Sequence, residues 1–295
     1  MTQNMYSTST PYFDSDQKMG WLAGLRELWD YRFLLRSLIV RDLKSRYKNS
    51  LLGVLWSLLN PLFMMLIYTV LFTILIPNDD IHHYPVFILV GLIPWNFFSG
   101  ALLASTVSIT NHASLVKKVY FPRILLPLSA IGSNFVNYLL SLVILVIFLL
   151  AYDIGISIHA LWVIPILVTQ IIFMIGLSLI FSAMHTFYRD VFMVLEVGML
   201  AWFFLTPIFY PFEWVTEQAN LMDLSFNAAR VMRWINPVAS MVDGYRTVLW
   251  GSIGNQVPGS MDALALLRTL ITAVIVLVIG YVFFRRTEHL FGEKL

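Results

Sequence analysis

An all-α polytopic membrane protein is the fold class the sequence predicts: six transmembrane helices, an N-terminal amphipathic interface helix, and short outer re-entrant helices after helix five. Three observations predict it. The 295 residues are 59% hydrophobic and only 12% charged, whereas roughly a quarter of the residues in a soluble domain carry charge; mean hydropathy is +0.77. The charges are clumped, leaving uncharged stretches long enough for the roughly 20 apolar residues that a helix needs to cross hydrocarbon. Lys and Arg also gather on alternate connecting segments, the bias that orients membrane helices.

Composition excludes several function classes. A net charge of +2 with no basic block interleaved with aromatics gives no electrostatic footprint for nucleic acid. The absence of cysteine removes disulfides, thiolate metal sites and cysteine nucleophiles. The first 50 residues lack a basic segment followed by a short apolar one, so no cleavable signal is expected and the first membrane helix directs insertion.

Residues 1–16 are polar and rich in Ser and Thr, and are expected to form a disordered cytoplasmic tail. Residues 17–48 form the interface helix. Leu22, Leu25, Trp29 and Phe33 recur at helical spacing while Arg26, Arg32 and Arg36 fall largely away from them, and Arg41, Lys44, Arg46 and Lys48 continue the basic character toward lipid phosphates. Residues 49–295 make the six-helix transmembrane domain. The spans are expected at about 51–76, 86–110, 124–152, 160–185, 191–211 and 262–284. Asn60-Pro61 interrupts the first and Thr206-Pro207 the fifth, breaks that are tolerated where a helix borders protein or a wet cavity. After the fifth span, Leu224, Ala228, Val231 and Ile235 keep helical spacing until Asn236-Pro237 stops the run, and a second short helix covers Met241 to Trp250. With the N-terminus inside, only Arg230, Arg233, Arg246 and Arg268 of the nineteen cations fall outside. Both termini are therefore expected to face the cytoplasm.

Signs of catalysis are sparse. His185 and Asp190 have the H-x-x-x-x-D spacing that some membrane acyltransferases use to deprotonate an acceptor hydroxyl, which makes acyl transfer an alternative function. His82 and His83 lack neighbours at metal-ligand spacing, Glu196 is the one acid inside a span, and no Walker A loop is present. No metal or catalytic site is expected. A transport conduit fits better: Pro61, Met65, Tyr68 and Phe72 share one face of the first span, and Trp202, Phe203, Thr206, Phe209 and Tyr210 cluster at the end of the fifth. Such rings would stack on the C–H faces of sugars and let a polymer slide.

Several segments carry a resemblance. RDLKSRYKNSLLGVLWSLLNPLFMMLIYTVLF (41–72), GLIPWNFFSGAL (91–102), LVKKVYFPRILLPLS (115–129), FYRDV (187–191), FFLTPIFYP (203–211), INPVASMVDGYRTVL (235–249) and EHLFGEKL (288–295) stand in an order that resembles the permease subunits of polysaccharide-exporting ABC transporters. These carry lipid-linked O-antigen, capsule or teichoic-acid polymers. The resemblance implies a homodimer of this chain joined to two copies of a separate ATPase that binds ATP and Mg, with no cofactor in this chain. It also implies that Leu115, Val116, Lys117, Lys118, Val119, Tyr120, Phe121, Pro122 and Arg123 form the loop that docks on the ATPase. There Lys117, Lys118 and Arg123 would pair with acids, while Val119, Tyr120 and Phe121 would fill a cleft, and Arg189 and Asp190 would add contacts. An ABC exporter of small hydrophobic molecules or lipids is the other alternative on the same scaffold.

Overall fold

The computed structural model describes residues 29–72, 81–221, 228–251 and 257–295. All regular elements among them are helical. Arg26, the tail over residues 1–16, the start of the interface helix, the end of the first span beyond residue 72 and Leu224 lie outside the described residues.

Helix α1 (Arg32–Tyr47) ends at Lys48, where Asn49 takes a left-handed φ of 60°, a conformation Asn tolerates because its short side chain bonds locally. A 3-10 turn (Gly53–Leu55) leads into α2 (Trp56–Val70). Then come α3 (Tyr84–Thr106), the short α4 (Ser108–Asn111) and α5 (Ala113–Lys118), and α6 (Leu125–Ala151). A 3-10 turn (Ile158–Trp162) starts α7 (Val163–Phe187), and α8 (Asp190–Phe204) follows at once. Three short helices come next: α9 (Phe212–Leu221), α10 (Ala228–Ile235) and α11 (Pro237–Leu249). The chain closes with α12 (Ala263–Thr287), a 3-10 turn (Glu288–Leu290) and α13 (Phe291–Lys294).

Four helical stretches among the described residues are long and apolar enough to cross a membrane: Tyr84–Thr106, Leu125–Ala151, Ile158–Phe187 and Ala263–Lys294. They coincide with the second, third, fourth and sixth expected spans. The first is described only as far as residue 72, with α2 regular over 15 residues. The fifth differs: α8 has 15 residues, about 22 Å at 1.5 Å per residue against roughly 30 Å of hydrocarbon.

At Thr206-Pro207 the fifth span is interrupted as expected: α8 stops at Phe204, and residues 205–211 run as an irregular turn before α9. A proline supplies no N–H and pushes the residue before it out of helical conformation, so the helix ends there. Pro61 does the reverse. It sits inside an unbroken α2, and the carbonyl it leaves without an i+4 donor, that of Ser57, accepts from the Ser141 hydroxyl of α6 at 3.2 Å. Asn236-Pro237 was expected to stop a helix. It also starts one: the Asn236 side chain accepts from the Ala239 amide at 3.2 Å as an N-cap, with Pro237 at the first helical position.

Helix α3 is the hub. It is buried along most of its length and packs on α2, α6, α7, α8 and α11. Buried polar groups are joined across this core: the Tyr245 hydroxyl donates to Gln170 Oε1 at 3.0 Å, and Gln170 Nε2 donates to the Pro94 carbonyl at 2.9 Å. Ser105 donates to Ser178 at 2.7 Å. Helices α7 and α12 form the most extensive pair, backbone against backbone, because a Cβ on Gly176 would stand 2.6 Å from the Leu277 amide nitrogen, and a Cβ on Gly280 would meet the Gly176 carbonyl. Changing Gly280 to Leu should therefore force the pair apart and cost about 3 kcal/mol or more, seen as a lowered melting midpoint in detergent.

Helix α1 packs on α6 through a face that the Trp29/Phe33 stripe did not reveal. Tyr31, Leu34, Leu35 and Leu38 meet Leu125, Leu126 and the C-terminal Phe284 and Phe291 in one cluster. Trp29 and Phe33, 69% and 66% exposed, lie on the opposite side, as do the exposed Arg32 and Arg36, whose Arg32 guanidinium rests 4.5 Å from the Phe33 ring centroid.

Candidate functional site

Two groups of expected site residues gather at opposite ends of the bundle. At the end that carries α1 and the C-terminus, α4 and α5 join α3 to α6. Val116 and Phe121 are buried in the cluster that also holds Leu38, Phe284 and Phe291, and Pro122 is buried beside them. Arg123 is occupied within the chain: its guanidinium donates to the Glu288 carbonyl and lies 6.0 Å from the Phe291 ring centroid. The C-terminal turn it holds is braced by the Arg285–Glu288 ion pair at 2.8 Å. Leu115 is half-buried against the same cluster.

This divides the expected docking loop in two. Lys117 and Lys118 are exposed, Val119 is exposed, and Tyr120 is 81% exposed, whereas Phe121 is 6% exposed. Phe121 is therefore no free ring for a partner's cleft, and Arg123 no free cation for a partner's acid; both anchor the loop to the C-terminal EHLFGEKL turn. The reason is apolar burial at the loop's base: an aromatic that follows an exposed pair is drawn into the nearest core. Tyr188, Arg189 and Asp190 are exposed on the next turn, which adjoins the first through the Phe187–Phe291 ring contact at 6.0 Å. Arg41 of α1 touches His112 between α4 and α5, and His112 Nδ1 meets the Ser108 carbonyl at 2.7 Å. The basic surface thus includes α1 residues Arg41, Lys44, Arg46 and Lys48, all exposed.

At the other end the expected conduit rings come together, stacked on each other. Tyr68 lies parallel to Phe209 at 6.1 Å and meets Phe203 at 6.1 Å. Phe72 stacks on Phe209 at 5.5 Å, and Phe209 meets Tyr210 edge-on at 5.0 Å. Met65 packs half-buried on the same core. Pro61, Phe203 and Thr206 are buried within the chain. Thr206 donates to the Trp202 carbonyl at 2.8 Å and accepts from Asn236 Nδ2 at 3.0 Å. The Trp202 indole donates to Asn236 Oδ1 at 2.8 Å and stands edge-on to Phe98. These residues brace α8 against α10–α11 in this conformation. The outward faces belong to others: Phe63, Met64 and Ile67 on α2, with exposed Asn60, and Met193, Val197 and Leu200 on α8, with exposed Glu196.

Arg246, read from the sequence only as an outside cation, is central here. It is 5% exposed. Its guanidinium donates to the carbonyls of Pro207, Ile208 and Tyr210 and lies over the Phe87 ring at 3.7 Å. Gly91 makes room, since a Cβ there would come within 3.0 Å of Arg246 Nη2. The neighbouring Arg233–Asp243 pair closes at 3.0 Å, and Arg268 of α12 donates to the Arg233 carbonyl at 2.8 Å.

The pairing needed for acyl transfer does not form. His185 is buried in α7 and Asp190 is exposed beyond it, with no hydrogen bond or ion pair between them. Among the described residues no cluster of three metal-ligating side chains occurs.

Four helices long and apolar enough to cross a membrane among the described residues, with an exposed basic surface gathered at one end, define a multi-pass membrane protein. The chain belongs to the ABC-2 type transporter family, which it matches over residues 34–250. It is a transport permease. It is 33% identical over 226 residues to the O-antigen export system permease protein RfbA of Myxococcus xanthus, covering 77% of this chain and 84% of that one. A protein of the same name from Klebsiella pneumoniae is 31% identical over 278 residues, covering 92% of this chain and 99% of its own length.

Proposed function

We propose that this chain is the membrane subunit of an ATP-driven exporter that moves lipid-linked polysaccharide across the cytoplasmic membrane. The observation that carries the reading is its similarity, across most of its length, to proteins named O-antigen export permeases. A separate ATPase binds ATP and Mg; this chain holds no cofactor. Two copies of the chain form the conduit, and two ATPase copies engage it. Both termini face the cytoplasm, as the cation distribution favours. In this arrangement α2 and α8 complete six spans. Residues 17–48 lie along the inner surface behind a cytoplasmic tail, and α9–α11 dip back at the outer mouth.

The outward faces of α2 and α8 support the dimer. A carboxylate at Glu196 stands among exposed apolar side chains, and polar groups on spans face a partner or a wet cavity rather than lipid. The polymer then passes between these faces, with the stacked rings of Tyr68, Phe72, Phe209 and Tyr210 supporting the wall from behind. Lys117, Lys118, Val119 and Tyr120, with Arg189 and Asp190, meet the ATPase. Because Phe121 and Arg123 tie that loop to α12 and α13, a push on the loop moves the bundle as a body.

The test is to purify the chain with its ATPase in lipid nanodiscs and add the host's lipid-linked polysaccharide. Hydrolysis should rise severalfold, whereas hydrophobic drugs should leave it unchanged. If the chain purifies without an ATPase, and its depletion strands no glycan lipid in the cytoplasm, the reading is wrong.

A further inference from the structure

We propose that a half-open cavity between α1, α2, α3 and α6, apolar with a few converging polar groups, is a binding site for a phosphate-linked sugar carried on a membrane lipid. The proposal deepens the export reading and rests on it. The cavity has a volume of about 400 Å³, within the range of small-molecule sites. Its wall brings together Asn60 of α2, Asn96 of α3, and Asn134 and Asn137 of α6, with Arg46 of α1 and Trp56 of α2.

Four carboxamides converging from three apolar helices need a reason, because a polar group on a membrane-spanning helix costs free energy unless it is paired or faces a wet cavity. Asn134 is paired: Oδ1 accepts from Arg46 Nη1 at 3.1 Å and Nδ2 donates to the Ala130 carbonyl at 2.8 Å. Asn137 Oδ1 accepts from the Tyr47 hydroxyl at 2.8 Å, and among the described residues no bond uses its NH2 group. Asn60 and Asn96 make no side-chain hydrogen bond among the described residues. Each therefore keeps two donors and an acceptor oxygen, the complement of the vicinal hydroxyls of a sugar. Aromatic surface stands beside them: Trp56 borders the cavity, and Phe97 and Tyr138, stacked at 4.8 Å, form part of its wall.

Charge selects the ligand further. The wall holds a cation and no carboxylate, which favours an anion over a metal ion. Arg46 commits Nη1 to Asn134 and forms no ion pair among the described residues, so donors of its fork are left for a phosphate. Arg46 is exposed, so phosphate would be held at the rim and the neutral sugar inside. Occupancy would also reach the ATPase-facing segment, since Arg41, on the same helix as Arg46, contacts His112 next to α5.

The absence of cysteine allows a single reporter, Asn96→Cys, in the complete transporter. Its labelling by a small water-soluble maleimide is compared in two sets of membrane vesicles: one from cells making the lipid-linked glycan, one from cells blocked before the first sugar is attached. The rate should fall about tenfold in the first set, as expected when hydrogen-bonded ligand fills the site. Ile158→Cys, at the far end of the bundle, should label equally in both. Equal rates for Asn96→Cys overturn the proposal, whether the cavity is empty or holds an ordinary phospholipid headgroup, and so does a failure to label in either set. The companion variant Asn60→Ala/Asn96→Ala removes no side-chain hydrogen bond among the described residues. It should raise the glycan-lipid concentration for half-maximal ATPase stimulation about tenfold, the loss expected for two neutral hydrogen bonds, with the maximal rate kept. Unchanged half-saturation overturns the site while leaving the export reading intact; absence of stimulation in the unsubstituted transporter overturns the export reading itself.

Discussion

Replacing Arg246 with Met should lower the melting midpoint of the purified protein by about 10 °C, from a loss of about 3–5 kcal/mol. The size of the effect comes from what the guanidinium holds. Pro207 ends α8 and offers no N–H, so the carbonyls of the turn at 207–210 have no helical donors. Arg246 supplies them, reaching Pro207, Ile208 and Tyr210 from α11, and its other surface is covered by Phe87. Met fills much of the volume but leaves three carbonyls short of a donor at a site where Arg246 is 5% exposed. Lys keeps the charge yet lacks the planar fork that bridges several carbonyls, and should recover less than half of the loss. Arg233→Gln is the comparison. Its ion pair with Asp243 is partly open to solvent, with side-chain exposures of 39% and 31%, so it should cost about 1 kcal/mol or less. Equal midpoints for the Arg246 and Arg233 variants would show that the turn after α8 is held by something else.

The parts legible in the sequence were those that depend on local composition. Uncharged stretches located α3, α6 and α7 because length in hydrocarbon and absence of charge are one constraint seen twice; α12 was placed from a shorter apolar run with Arg268 near its start. The ends of helices at proline were less legible. Pro61 and Pro207 look alike in sequence, but one carbonyl freed by Pro61 finds Ser141 on another helix, whereas the turn after Pro207 depends on Arg246, some forty residues on. Helix α9 was not foreseen, since Glu213 and Glu217 interrupt its apolar pattern over only ten residues. Helix α1 has two apolar faces: the Trp29/Phe33 stripe is the more conspicuous, and Tyr31, Leu34, Leu35 and Leu38 do the packing. The docking loop was recognisable as basic and aromatic. Which of its residues turn inward depends on Phe291, about 170 positions away, and no local pattern carries that.

Substituting Tyr120 with Ala should weaken association with the ATPase about thirtyfold while shifting the melting midpoint of the isolated chain by no more than about 2 °C, because an exposed aromatic at the centre of a small interface is worth about 2 kcal/mol or more. Reversing the two exposed lysines, Lys117→Glu/Lys118→Glu, should act in the same direction and be mimicked in the unsubstituted protein by raised salt, which screens exposed charges beyond about 8 Å at physiological ionic strength. Phe121→Ala should do the opposite. Its ring is 6% exposed among Val116, Phe284 and Phe291, so truncation opens a cavity costing about 3–5 kcal/mol, and the midpoint falls before any binding defect is measured. The pair separates contact from support. If Phe121→Ala melts like the unsubstituted chain yet fails to hold the ATPase, Phe121 turns outward in the assembled transporter, and the loop must unpack from the C-terminal turn when the subunits join. If Tyr120→Ala lowers stability and leaves association intact, the docking surface lies elsewhere, and the adjoining Arg189–Asp190 turn becomes the place where ATP hydrolysis is felt.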